Sequence, residues 1–248
     1  MRSEEFIVEG FKHNLAAATM LGLSALSNPT SNLQPSEVMP VQSNQPIVGK
    51  SLPPGPPGIS NEAIAAAKAL LKNPSAKMLY DEAIKAGITG TELAQFMAQC
   101  AHESGDFRHL KERGNTSYFM HMYDRQFNPK TAADLGNTKN GDGARYFGRG
   151  YIQLSGRENY TRAGKALGLD LVNHPELVEK PEIAAKASIW FWQNRVIKRA
   201  TDFSNTAIMT KPINKGLRDL DKRHAKFIGL NHVINDKSNV NEQINKIS

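Results

Sequence analysis

Apolar residues recur at helical spacing in three consecutive segments between residues 60 and 103. The first predicts a helix capped by Ser60 and running through Lys72, with Ile64, Ala67 and Leu71 on one side. Asn73-Pro74 breaks it, and a second helix runs from about Ser75 to Ala86, where Gly87 ends it. Thr89-Gly90-Thr91 opens a third, whose Leu93, Phe96, Met97, Cys100 and Ala101 make one apolar face. Over residues 113–150 the period fades into glycines and asparagines, which predicts a long loop with a small hairpin. Loops of that length in a compact domain usually carry function. Tyr151–Leu154 reads as a short strand, with Gln153 and Ser155 on one face and Ile152 and Leu154 on the other. Helical spacing returns from about Tyr160 to Leu167, from Pro181 to about Arg195 and from Leu217 to Leu230. In the Pro181 segment Ile183, Ala187, Trp190, Phe191 and Asn194 share a face. That assigns Trp190 and Phe191 to the core and leaves Trp192 for an exposed surface.

The first 58 residues differ from the rest. Leu15–Leu26 is an apolar run, but the residues before it are net acidic, which a secretion signal would not be. Asn28–Gly58 is rich in Pro, Ser, Asn and Gln and closes in Leu-Pro-Pro-Gly-Pro-Pro-Gly, the composition of a linker. The expected division is therefore a largely non-globular leader and linker over 1–58 and one globular domain over 59–248. Hydrophobic residues make up 40% of the chain and charged ones 22%, as in soluble globular proteins. The net charge is +7, and residues 1–58 contribute only three cations against four carboxylates, so the excess lies in the globular part. A basic body suits a polyanionic partner. No basic run interleaved with aromatics points to nucleic acid, and no apolar stretch is long enough to span a bilayer. The single cysteine, Cys100, excludes an intramolecular disulfide and lies on an apolar helix face, as a small buried hydrophobe would.

Glu103 and Glu112 are the candidate chemistry. Glu103 projects from the apolar face near the C-terminal end of its helix, with Gly105 as the left-handed terminator. Burial and the negative end of the helix dipole both favour its protonated form. Asp106 nearby adds a charge acting in the same direction. Glu112, with Arg108, Lys111 and Arg113 around it, is expected to be ionised and available as a base. Two carboxyl groups pushed apart in this way are the pattern used in glycoside hydrolysis. Taken alone, two glutamates nine residues apart also fit ordinary surface charge. A zinc reading of His102-Glu103 fails because no histidine lies four residues beyond His102. In Gly148-Arg149-Gly150 the glycines permit close backbone approach, and the absence of a subsequent Gly-Lys-Ser/Thr excludes a phosphate loop.

Taken together, Ala101-His-Glu-Ser-Gly-Asp-Phe107, Leu135-Gly-Asn-Thr138, Gly141-Asp-Gly143, Gly148–Tyr160 and His174-Pro-Glu-Leu177 resemble the family 19 glycoside hydrolases (class I and II chitinases), and among them the phage endolysin branch. The resemblance spans about Ser60 to Leu230. It implies a mainly α, α+β lysozyme-like fold, with two helical lobes and a small β-element flanking a substrate cleft. By position, Glu103 resembles the general acid, Glu112 the general base, and Ser155 the hydroxyl residue that helps hold the attacking water. Gln153, Asn159, Asn214, Tyr151 and His102 fall at substrate-contacting positions. The chemistry implied is hydrolysis of a β-1,4 bond with inversion, needing no metal or cofactor. The partner implied is the glycan strand of bacterial peptidoglycan, approached by a monomer without membrane insertion. A chitinase acting on chito-oligosaccharides, or a wall-binding virion protein without activity, are the other readings of the same residues. The chain departs from the family at Asp106, which stands where that pattern often has a glycine, and in one loop. Lys215 replaces a glycine of the Ile-Asn-Gly-Gly pattern. Arg218–Arg223 then keeps only Leu220 and Arg223 of the family's Asn-Gly-Leu-x-Asp-Arg. The opening residues resemble capsid-targeting leaders of T4-like phage head proteins, which by that resemblance would be cut after Glu9.

Overall fold

The computed structural model describes residues 59–236, so the expectations for the leader and linker lie outside the described residues. Three helices follow the sequence closely. Helix α1 (Asn61–Leu71) is capped by Ser60, whose hydroxyl accepts from the Ala63 amide at 3.2 Å. Helix α2 (Pro74–Lys85) has proline in its first turn and the Asn73 side-chain carbonyl as cap, 2.9 Å from the Ser75 amide. Helix α3 (Gly90–Glu103) is buried on all sides over Leu93–Ala101, which makes it the central helix rather than an amphipathic surface one. Its two glutamines are satisfied inside the core. The Gln95 amide donates to Thr206 Oγ1 and to the Phe203 carbonyl, both at 3.2 Å, and the Gln99 amide donates to Thr210 Oγ1 at 2.9 Å.

Residues 113–150 are not the long loop that their composition suggests. They hold three short helices, α4 (Thr116–Tyr123), α5 (Pro129–Leu135) and α6 (Asp142–Arg145). The asparagines that read as loop residues are caps: Asn115 accepts from the Tyr118 amide and Asn128 from the Thr131 amide. Buried Asp124 gathers the Gly141 and Gly143 amides at 2.8 and 3.2 Å, and Asp142 takes two nitrogens of Arg157 at 2.8 and 2.5 Å. These are long-range contacts with no periodic signature. Helix α7 (Arg157–Leu167) starts three residues ahead of the expected position and ends, as expected, at left-handed Gly168.

The expected β-element is reduced, among the described residues, to two isolated bridges, Lys111 with Arg149 and Arg149 with Leu154. Tyr151–Leu154 is a turn rather than a strand, and Gln153 takes a positive φ of 54°. The alternation nevertheless survives in burial: Ile152 and Leu154 are buried while Gln153 and Ser155 are half-buried.

A 3-10 turn (Pro175–Glu179) leads into α8 (Pro181–Phe191), which passes into a π-helical turn over Trp192–Val196. The π turn shifts the side-chain phase. It corrects the expectation for Trp192, which is fully buried, edge-on to Phe96 at 5.3 Å, with its indole nitrogen donating to Glu92 at 2.9 Å. Helix α9 (Thr206–Thr210) was not legible in the sequence. Helix α10 (Leu220–Asn235) begins later than the expected Leu217, because Leu217 and Asp219 have positive φ. It packs along α3 and α1, crossing α1 so closely that a Cβ on Gly229 would lie 2.6 Å from the Ala63 carbonyl oxygen.

Two apolar cores result. One surrounds α3 and includes α10; the other lies between α7 and α8, around Tyr146, Leu154 and Tyr160. No described helix is long and apolar enough to cross a membrane.

Candidate active site

Glu103 is the last residue of α3, and the chain reverses immediately after it. Ser104 donates its hydroxyl to the Cys100 carbonyl at 2.7 Å and accepts from the Phe107 amide at 3.0 Å. Gly105, Asp106 and Phe107 all take positive φ, near 60°. This bend carries Leu110–Glu112 back against the glycine turn, where the Gly150 amide donates to the Leu110 carbonyl and the Glu112 amide to the Gly148 carbonyl, both at 2.9 Å. Glu103 and Glu112 are thereby drawn near enough for the charge of one to act on the other.

The Glu103 side chain is 18% exposed, and its Oε1 accepts from Arg223 Nη2 at 2.5 Å. Arg223 itself is buried, and each of its three nitrogens donates. Its Nη1 donates to the Gln99 side-chain carbonyl at 2.7 Å and its Nε to the Arg218 carbonyl at 3.1 Å. Burial pushes the Glu103 carboxyl above the usual glutamate range, Arg223 opposes that, and the charge of Glu112 adds to it. Asp106 does not supply the extra push expected of it: its carboxylate is turned to Lys226, 2.5 Å away, and lies 3.8 Å from Arg108.

Glu112 is held differently from the expectation. Its surroundings are polar, but the basic residues near it in sequence turn elsewhere. Arg108 donates to the Gly105 carbonyl, Arg113 contacts His109, and Lys111 faces Glu179. The carboxylate instead accepts from the Tyr123 hydroxyl at 2.7 Å on Oε1 and from the Gly148 amide at 2.9 Å on Oε2. Burial and this bond push the Tyr123 hydroxyl well above its ordinary range, so it stays a donor. Gly148 leaves the carboxylate room. A Cβ there would stand 2.7 Å from Gln153 Oε1 and 3.1 Å from Glu112 Oε2. The glycine turn is braced by buried Arg149, which donates to Glu179, to the Arg145 carbonyl and to the Tyr160 hydroxyl, with its guanidinium 3.7 Å over the Phe147 ring.

From Gly148 the polar residues continue in a row. The Gln153 amide donates to the Gly150 carbonyl at 3.0 Å and the Ser155 hydroxyl to the Gln153 carbonyl at 2.9 Å. The Asn159 amide donates to the Ser155 carbonyl at 2.8 Å, and its oxygen accepts from Arg195 Nη2 at 2.9 Å. Gln153, Ser155 and Asn159 therefore belong with Glu112. Half-buried His102 faces Asp219 at 3.6 Å on the Glu103 side. Burial and Arg223 lower its pKa, against the pull of Asp219. Asn214 closes a local turn, its oxygen accepting from the Gly216 amide at 3.1 Å. Tyr151 has to be withdrawn as a ligand contact. It is fully buried against Phe107, because the glycine turn aims it into the main core. Cys100 is buried, and burial pushes its thiol up, as suits an inert packing residue. Sequence reasoning missed Tyr123 and the part played by Arg223. Their partners stand 11 and 120 residues away, beyond any local pattern. Among the described residues no group of three His, Cys, Asp or Glu side chains could hold a metal ion.

A helical fold that sets a carboxyl group with a raised pKa near a second, hydrogen-bonded one has the arrangement used in glycoside hydrolysis, and the chain is a glycoside hydrolase, an enzyme of O-glycosyl bonds. The family model described as chitinase class I, glycoside hydrolase family 19, matches residues 62–238, and the chain belongs to that family. A glycosyl hydrolase family 19 domain-containing protein of Haemophilus influenzae is 32% identical over 163 residues, covering 56% of this chain and 78% of that one. Endochitinase 2 of Gossypium hirsutum is 36% identical over 104 residues, covering 41% of this chain and 34% of that protein. The crystal structure of a bacterial family 19 chitinase shares the fold, with a TM-score of 0.52 at 22% identity over 71% of this chain and 95% of that one.

Proposed function

We propose that the globular part of the chain, 59–248, cuts the β-1,4-linked glycan backbone of bacterial peptidoglycan by single displacement with inversion. Glu103 is the general acid and protonates the leaving oxygen. Glu112 is the general base and takes a proton from the attacking water on the opposite face of the sugar, with Ser155 helping to hold that water. Gln153, Asn159, Asn214 and His102 contact the sugars. The observation that carries the reading is the contrast between the two carboxyl groups. Glu103 is half-buried at a helix end with its pKa raised, whereas Glu112 has both oxygens directed by Tyr123 and Gly148. The wall as substrate is supported by the net charge of +7, which suits an anionic polymer, and by the phage-like opening residues. On this reading the protein is phage-encoded, made in the host cytoplasm or carried in the virion, and acts on the wall from the periplasm.

The endochitinases among the relatives favour a second reading, hydrolysis of chito-oligosaccharides by the same residues. The experiment is digestion of purified peptidoglycan and of chitin oligomers with the wild type and with Glu103→Gln, products being identified by mass spectrometry. New reducing ends on muropeptides from the wild type alone, with an unchanged circular dichroism spectrum in the variant, are expected. Products from chitin oligomers only would select the second reading. Full turnover by Glu103→Gln would remove the acid assignment, and wall binding without any product would leave a binding protein.

A further inference from the structure

Lys215 and Asp134 are far apart in sequence, yet Lys215 Nζ lies 2.7 Å from Asp134 Oδ2. Lys215 belongs to the loop between α9 and α10, on the side of the molecule that supplies Arg223 to Glu103. Asp134 lies near the end of α5, which packs against α4, the helix of Tyr123 and hence of the Glu112 side. A second approach runs the same way, because the charge of Arg218, in the same loop, bears on the Tyr123 hydroxyl. The loop is shaped for this reach. Asn214 closes its first turn on Gly216, and Leu217 and Asp219 hold positive φ, a backbone state that neither side chain favours.

We propose that Lys215 and Asp134 are specificity-determining residues. Their ion pair ties the loop of the Glu103 side to the helices of the Glu112 side, so that short glycans are accepted with the strap closed and a long strand is accepted only once it opens. The proposal rests on the hydrolase reading above and deepens it. Both side chains are well exposed, 76% for Lys215 and 52% for Asp134, so the pair is screened by salt and is a strap rather than a lock. An exposed pair of this kind biases an open–closed equilibrium by about two- to fivefold.

The test uses the full chain as wild type, as Asp134→Asn and as the charge exchange Asp134→Lys with Lys215→Asp. Hydrogen exchange of the 213–219 amides is monitored in low and high salt, and turnover is compared on short and on long soluble peptidoglycan strands, with chitohexaose and a long soluble chitin derivative as the matching pair if the second reading holds. Asp134→Asn in low salt is expected to exchange like the wild type in high salt. Its ratio of long-substrate to short-substrate turnover should rise by about two- to fivefold, and the charge exchange should restore both readouts. Identical loop exchange in all three proteins and both salts would overturn the strap. Altered exchange with an unchanged turnover ratio would overturn its role in specificity while leaving the hydrolase reading intact. A wild type that cleaves no glycan would overturn the hydrolase reading and the specificity role with it.

Discussion

Replacing Arg223 with methionine probes the site most directly. The substitution keeps a long, flexible chain in a nearly closed space, since only 2% of the arginine side chain is exposed, but removes three donated hydrogen bonds. The Glu103 carboxylate and the Gln99 side-chain carbonyl are left without their donor. Removing one partner of a buried pair costs about 3–5 kcal/mol when the other must stay charged. Glu103 need not stay charged. Burial already holds its pKa above the usual range, and Arg223 is the main influence opposing that, so the variant's pKa rises further. A carboxyl group with a raised folded-state pKa contributes stability below its unfolded value and loses it as pH rises through the folded one. The penalty for Arg223→Met should therefore be largest at the alkaline end and shrink as pH falls through the raised folded-state pKa of Glu103. Urea denaturation at several pH values reads this as the separation of the two midpoints. In the same variant the alkaline limb of the activity profile, where the acid loses its proton, should move to higher pH. A double variant with Glu103→Gln should lose less than the sum of the single variants, because no charge is left stranded. An equal penalty at every pH, together with additive single variants, would refute the pairing as the source of both effects.

Two further substitutions address the other carboxyl group. Tyr123→Phe removes the 2.7 Å donor to Glu112 and should lower kcat by about 10- to 100-fold with little change in KM, the worth of one hydrogen bond to a charged group; steady-state kinetics checks it, and an unchanged kcat would remove Tyr123 from the site. Gly148→Ala places a methyl group 3.1 Å from Glu112 Oε2 and 2.7 Å from Gln153 Oε1, and should cost about 10²-fold in turnover through misplacement alone. Both neighbours are ends of flexible side chains, so thermal unfolding should move little; a collapse in stability would show that the glycine serves folding instead.

The parts of the fold that could be read from the sequence are those fixed by local chemistry. Ser60, Asn73, Gly87 and Gly105 punctuate α1 to α3 as their side chains, or lack of them, demand. Glu103 was placed correctly because an apolar face ending in a carboxylate is a local pattern. The 113–150 region was misread because its helices are short and depend on Asp124, Asn137 and the Asp142–Arg157 pair, whose partners lie 14 to 20 residues away. Trp192 was misplaced by extending a 3.6-residue period through a π turn. Glu112 was expected among the basic residues beside it in sequence, but a hydroxyl and a main-chain amide hold it instead.

The glutamines of α3 carry a consequence for how the protein is made. Gln95 and Gln99 reach Thr206 and Thr210 in α9, and Gln99 shares Arg223 of α10 with Glu103. The central helix emerges early from the ribosome, but its polar side chains find their partners more than a hundred residues later. Until α10 has been synthesised, α3 exposes amides and a carboxylate to water instead of a finished interior. The Glu103 end of the helix is thus completed only after α10 has been made, and a nascent chain stopped short of Leu220 would carry Glu103 without the group that anchors it.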